Sequence, residues 1–250
     1  MTAGGDKIIV ALDVSTERDA LNLVDALKEH VGFFKVGLEL IHSVGIGIVH
    51  RIMANGGRVF LDSKLHDIPN TVAGAAKAVA RLGVGMFNVH AAGGVEMMRA
   101  AAQAARDEAV KAEAPMPIVL AVTVLTSQDQ QTMNEELRIP GKVADHVAHL
   151  ARLAVSAGLD GVVASPHEIE VIRRAAPGIK AIVTPGIRPA WSAAHDQKRV
   201  LTPGEAIRQG ATYLVIGRPV TQPPHNIGDP ASAARAVADE IATACGGRET

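Results

Sequence analysis

The sequence is short of cysteine, of aromatic residues and of excess charge, and each shortage excludes something. Cys245 is the one cysteine in 250 residues. A single thiol cannot close an internal disulfide, so the fold does not depend on an oxidising compartment. Aromatic residues make up 2% of the chain, with one Trp, one Tyr and four Phe. Val, Ile, Leu and Ala must therefore fill the core, a composition suited to parallel strands covered on both faces. Lys and Arg number 25 against 26 Asp and Glu, giving a formal net charge of -1. Nothing in that balance drives the whole chain onto nucleic acid, although a local basic site for one phosphate is compatible with it. No apolar run approaches the ~20 residues of a membrane-spanning helix. Residues 1–6 lack the basic flank and apolar stretch of a signal peptide. The expectation is a cytoplasmic protein with neither a nucleic-acid nor a membrane partner.

What is present is apolar bulk. Hydrophobic residues are 48% of the chain and charged residues 20%, which supports a large core and argues against disorder. The length fits one α/β barrel or two small domains. Short apolar runs occupy residues 7–12, 33–37, 58–62, 85–89, 117–122, 161–164, 181–184 and 213–216. Between them, residues 18–29, 72–81, 95–111, 143–157 and 168–175 follow a helical period, and 231–244 close the series. About eight or nine strand candidates alternating with helices predict an α/β fold, a single (β/α)8 TIM barrel with parallel strands spanning residues 1–250. The structural rival is an open doubly wound sheet. Against it, no Gly-x-Gly-x-x-Gly follows the first strand. The polar residues also gather where several strands end, the catalytic face of a barrel. Residues 184–202 form the longest irregular stretch and fit a lid or ligand grip.

The sharpest feature is the string from Phe60 to Thr71, which contains Asp62, Lys64, Asp67, Ile68, Pro69 and Asn70. Asp62 and Lys64 are two apart at a strand end and share a side of an extended chain. Asp67 precedes Ile68-Pro69, where Pro suits a first helical turn. Taken alone, these residues fit a rim ion pair and an N-cap equally well. Lys35 alters the balance. It lies inside the apolar run Phe33-Phe34-Lys35-Val36, and a buried ammonium is costly unless paired. Asp62 is its natural partner, and Asp13 ends the first strand. An alternating array of Lys35, Asp62, Lys64 and Asp67 results, in which Lys64 stays protonated beside carboxylates that repel another anion. Gly217 and Arg218 follow the last strand, where barrels often bind phosphate through backbone N–H groups; without the other motifs, a turn with a solvated arginine describes them better. Arg188 and Gln197 in the long loop are equally compatible with surface residues. No Cys/His spacing suits zinc, and no Ser/His/Asp order suits a triad.

This constellation resembles the orotidine 5'-phosphate decarboxylase family. The Asp62-x-Lys64-x-x-Asp67-Ile68-Pro69-Asn70-Thr71 string is intact. Further segments occur in the family's order: Val10-Ala11-Leu12-Asp13, Phe34-Lys35-Val36-Gly37, residues 122–127 (VTVLTS), 184–189 (TPGIRP), 196–199 (DQKR) and 215–219 (VIGRP). Each is weak alone, but the ordered set spans nearly the whole chain. Ser63, where many relatives carry an apolar residue, is a minor departure. The resemblance implies a decarboxylase acting on orotidine 5'-phosphate with no cofactor and no metal. Lys64 would be the catalytic acid, with Asp62 and Asp67 beside the substrate carboxylate. Asp13 and Lys35 would hold the ribose hydroxyls, and Thr126 would contact the pyrimidine. Arg188, Gln197, Gly217 and Arg218 would grip the phosphate. Asp67, Ile68 and Thr71 would enter the site of a second subunit, which implies a homodimer with shared active sites. Two other readings stand beside this one. One is a metal-dependent enzyme acting on keto-sugar phosphates on the same barrel. The other is a catalytically silent nucleotide binder.

Overall fold

The computed structural model describes residues 3–192 and 201–246. Eight parallel strands run in chain order around one closed barrel. They are β1 (Ile8–Ala11), β2 (Phe33–Val36), β3 (Val59–Leu65), β4 (Met86–His90), β5 (Ile118–Val122), β6 (Gly161–Val163), β7 (Ala181–Pro185) and β8 (Tyr213–Ile216). The helices are α1 (Glu17–Leu27), α2 (Leu38–Val44), α3 (Ile48–Ala54), α4 (Pro69–Arg81), α5 (Gly94–Lys111), α6 (Val143–Ser156), α7 (Ile169–Ala175), α8 (Pro203–Gln209), α9 (Arg218–Thr221) and α10 (Pro230–Gly246). The (β/α)8 barrel expected from the alternating pattern is therefore the observed fold. No helix among the described residues is long and apolar enough to cross a membrane.

The chain groups into two compact units, residues 1–63 with 184–250, and residues 64–183. In the first unit, β1 pairs with β2 and with β8, and β2 pairs with β3. Thr16 caps α1 by accepting the Asp19 N–H. Thr202 and Glu205 form a reciprocal capping box that starts α8, with Pro203 at its first turn. The scarce aromatics are concentrated here: Tyr213 meets the edge of Phe33 at 5.8 Å, and the Arg58 guanidinium stacks 4.2 Å above the same ring.

In the second unit, β4, β5, β6 and β7 pair in sequence. Arg81 Nε donates to Glu108 Oε1 at 2.6 Å and ties α4 to α5. The guanidinium holds the Glu108 carboxyl below the usual range. Asp160, ahead of β6, accepts the Val119 N–H at 3.0 Å. It thus closes the amino-terminal end of the strands, the end that serves stability in barrels. Gly161 admits no side chain, because a Cβ there would stand 2.3 Å from the Ala181 carbonyl oxygen.

Most elements lie within a few residues of their expected positions. The differences are informative. β3 continues through Leu65, three residues beyond the expected end at Asp62. The short helices α2, α3, α8 and α9 are additional to the expected set. They have four to seven residues each, too few for a helical period to repeat. The segment expected as a helix over 168–175 opens with a single 3-10 turn, Pro166–Glu168, closed by a Ser165/Glu168 capping box.

Glu168 accepts the Ser165 N–H at 2.9 Å. Burial pushes its carboxyl up to about 7, against the smaller opposing pull of that hydrogen bond. The unfolded chain ionises this group near 4.5, so the folded state holds the extra proton between the two values. Stability from this group is therefore complete below the lower value and falls as pH rises through the upper one, by no more than about 3 kcal/mol. Glu168→Gln should remove that decline. Urea unfolding at several pH values between 4.5 and 8 checks this; equal slopes in both proteins would contradict it.

Candidate active site

Almost every chemistry-bearing residue singled out in the sequence lies at or just beyond the carboxyl end of its own strand. In the first unit, Lys35 on β2 is the centre of a charged cluster. Its Nζ lies 3.2 Å from Asp13 Oδ1 and 3.6 Å from Asp62 Oδ2. The Lys35 and Asp62 side chains are 14% and 12% exposed, whereas Asp13 is 62% exposed. The expected pairing of Lys35 with Asp62 is thus present, with Asp13 as a second, more hydrated partner. Gly37 leaves room for it: a Cβ there would stand 3.0 Å from Lys35 Nζ. Gly217 lies against the same cluster, because a Cβ there would meet Asp13 Oδ2 at 3.6 Å. Arg218 begins α9 and is exposed. Arg188 is half-buried in the segment after β7, and its backbone N–H donates to Leu201 at 3.1 Å. Gln197 falls outside the described residues.

In the second unit, Lys64 has a backbone φ of 50° within β3. That is the left-handed region, which costs a side-chain-bearing residue about 1–2 kcal/mol. The regular extended backbone of β3 is therefore interrupted at Lys64. Its main-chain N–H donates instead to the side-chain oxygen of Asn88 on β4, at 2.7 Å. Asn88 is fully buried. Two residues farther on in each segment, the rings of His66, just past β3, and His90, at the end of β4, lie 5.3 Å apart. Asp67 is exposed, and its Oδ1 accepts the N–H of Ile68 at 2.6 Å. Ile68, not Asp67, is the N-cap of α4, and it makes no side-chain cap bond. The N-cap reading of Asp67 is thereby corrected. Ile68 is 66% exposed, and Thr71 in the first turn of α4 is exposed as well. Thr126 is exposed beyond β5, while Thr123 is buried and donates to the Val163 carbonyl at 3.1 Å.

Asn88 is the functional candidate that the sequence reading passed over. Its signal is the same one that exposed Lys35: a polar residue inside an apolar run, here Met86-Phe87-Asn88-Val89. Among the described residues, no group of three or more His, Cys, Asp or Glu side chains is arranged to hold a metal ion. Lys35 instead supplies the positive charge between Asp13 and Asp62.

The closed parallel barrel, with charged side chains gathered toward the carboxyl ends of its strands, defines a (β/α)8 barrel protein. The particular family follows from comparison with known proteins. The model of the orotidine 5'-phosphate decarboxylase / HUMPS family matches residues 6–237. An orotidine 5'-phosphate decarboxylase of Moorella thermoacetica is 56% identical over 236 residues, covering 94% of this chain and 92% of its own. One from Heliobacterium modesticaldum is 49% identical over 237 residues, covering 95% and 96%. The crystal structure of orotidine 5'-phosphate decarboxylase from Lactobacillus acidophilus superposes with a TM-score of 0.81 at 36% identity, covering 94% of this chain and 98% of that one. The chain belongs to the orotidine 5'-phosphate decarboxylase / HUMPS family.

The buried pair makes a stability prediction. Asp62→Ala leaves the Lys35 ammonium largely desolvated with only an exposed partner and should cost about 3 kcal/mol. Adding Lys35→Met should restore at least half of that. Thermal or urea unfolding of the single and double variants checks it; a single variant as stable as the parent would contradict it.

Proposed function

We propose that this chain removes CO2 from orotidine 5'-phosphate to give uridine 5'-phosphate, as the last step of de novo UMP synthesis, without metal or organic cofactor. The observation that carries this reading is the Asp13–Lys35–Asp62 cluster within a chain that retains the whole Asp62-x-Lys64-x-x-Asp67-Ile68-Pro69-Asn70-Thr71 string. A protein that only bound a nucleotide would have no use for carboxylates set against its substrate's own anionic group.

The chemistry follows from charge placement. The bond from C6 of the pyrimidine to the carboxylate breaks, CO2 leaves, and the electron pair remains on C6. No neighbouring group of the base can delocalise it, so the protein must supply charge where the carbanion forms. Asp62 and Asp67 face the substrate carboxylate and disfavour it. The Lys64 ammonium stabilises the developing carbanion and then gives C6 its proton. Lys35, held between Asp13 and Asp62, fixes the position of Asp62 and, with Asp13, orients the ribose hydroxyls. Thr126 contacts the base. Arg188, Gln197, Gly217 and Arg218 take the phosphate, whose binding energy aligns the distant reacting carbon.

The reading extends to assembly. Ile68 projects an apolar side chain into solvent beside the exposed Asp67 and Thr71, an arrangement that fits insertion of this turn into a second copy of the chain. The protein is proposed as a single-barrel cytoplasmic homodimer that completes each active site across the interface.

Orotidine 5'-phosphate mixed with the purified protein should lose its ultraviolet signature and yield one equivalent each of uridine 5'-phosphate and CO2. Lys64→Met should lower kcat by at least about 10^4-fold, with nucleotide affinity changed far less. Full activity in Lys64→Met would remove Lys64 from the mechanism. No turnover by the parent protein, despite nucleotide binding, would favour a silent binder, and turnover of a keto-sugar phosphate instead would favour the metal-dependent reading. Shared sites predict that mixing inactive Asp67→Asn and Lys64→Met subunits restores part of the activity. Demonstrated heterodimers with none would contradict the shared site.

A further inference from the structure

A fully buried side-chain amide is costly unless its polar atoms are engaged. Asn88 is such a residue, in the middle of β4 and paired in register with Leu120 on β5. Its Oδ1 accepts the main-chain N–H of Lys64 at 2.7 Å. In a regular parallel ladder that N–H would go to a main-chain carbonyl of the neighbouring strand. Here a side chain takes the place of the carbonyl at the residue where the β3 backbone turns into the left-handed region, with φ 50°. Lysine has no intrinsic tendency to adopt that conformation, and its Cβ opposes it. A strained backbone persists where its surroundings over-determine it, and such positions cluster at functional sites.

We infer that Asn88 is a positioning residue for Lys64: its amide oxygen holds the Lys64 backbone in the left-handed conformation and so sets the direction in which the ammonium departs from the strand. The inference rests on the proposed role of Lys64. A relaxed, extended Lys64 would begin its side chain along a different vector, and the flexible four-carbon stem would have to find the reacting carbon by a conformational search. Asn88 touches neither substrate nor product in this scheme. Its effect reaches the chemistry through one peptide N–H.

The variant Asn88→Ala removes the acceptor. Decarboxylation should fall on the order of 100-fold in kcat, the scale of a misplaced catalytic group, while KM and the affinity for uridine 5'-phosphate stay within about threefold. Asn88→Asp, which keeps an oxygen at the same reach, should recover part of the loss. The discriminating measurement uses Lys64→Ala, supplied with free ethylammonium as a replacement cation. An untethered cation does not depend on the Lys64 backbone, so the ethylammonium-dependent rate should be the same in Lys64→Ala and in Lys64→Ala/Asn88→Ala. An equal further loss in the double variant would show that Asn88 supports the site generally and would overturn the inference, as would an undiminished kcat in Asn88→Ala. Where Asn88→Ala does not fold, Asn88→Ser serves in its place, since its hydroxyl is too short to reach the Lys64 amide. A readout independent of turnover is the hydrogen exchange of the 15N-labelled Lys64 amide. It should be protected in the parent and exposed in the variant; equal protection would also overturn the inference. Absence of turnover in the parent would refute the decarboxylase reading, whereas parental turnover with unaffected variants would refute only the role of Asn88.

Discussion

A lysine ammonium taken out of water must find a carboxylate, and the Lys35–Asp62 pair is the constraint on which the rest of the site depends. Lys35 lies among Phe33, Phe34 and Val36, all buried, on a strand paired with β1 and β3. Those two neighbours supply its partners, Asp13 just beyond β1 and Asp62 on β3. Desolvation makes the pair costly in itself, and only the combination of both charges is tolerated. The parallel register of β2 against β3, in which Lys35 faces Phe60, places Asp62 within reach. The barrel thus makes a buried lysine admissible by setting a carboxylate against it.

β3 then changes character within two residues. Up to Asp62 it is a buried strand, and from Ser63 onward it becomes progressively accessible. At Lys64 the main chain leaves the extended region. By Asp67 and Ile68 the chain is exposed and turning into α4. The strand thus holds a charged pair at its buried part and leads into an exposed turn beyond it. The same division appears at the opposite ends of the strands, where Asp160 is committed to backbone support.

Much of this was legible in the sequence, for physical reasons that can be named. A period of 3.6 is strong over a long element, so α5 fell close to its expected position, while β8 was legible as an unbroken apolar run. α2 and α3, of seven residues each, were not legible, because Gly45 and Gly47 interrupt the apolar period before it repeats. Lys35 was legible because a charge inside an apolar run demands a partner. Asn88 carries the same signal in a weaker form, since an amide is less costly to bury than an ammonium. The left-handed backbone of Lys64 was not legible, as local propensity points to an extended strand. Asp67 looked like an N-cap from its place before Ile68-Pro69, yet α4 begins one residue later than that reading requires. Gln197 lies outside the described residues.

The central claim is that fixed protein charge, with no metal, drives the loss of CO2. The most direct test is single-turnover release of CO2 from carboxyl-labelled orotidine 5'-phosphate by protein exhaustively treated with EDTA, compared with the same protein after addition of Mg2+. Equal rates in both samples are predicted. A rate that collapses on chelation and returns with the metal would contradict the claim and assign the decisive charge to a bound cation instead of Lys64.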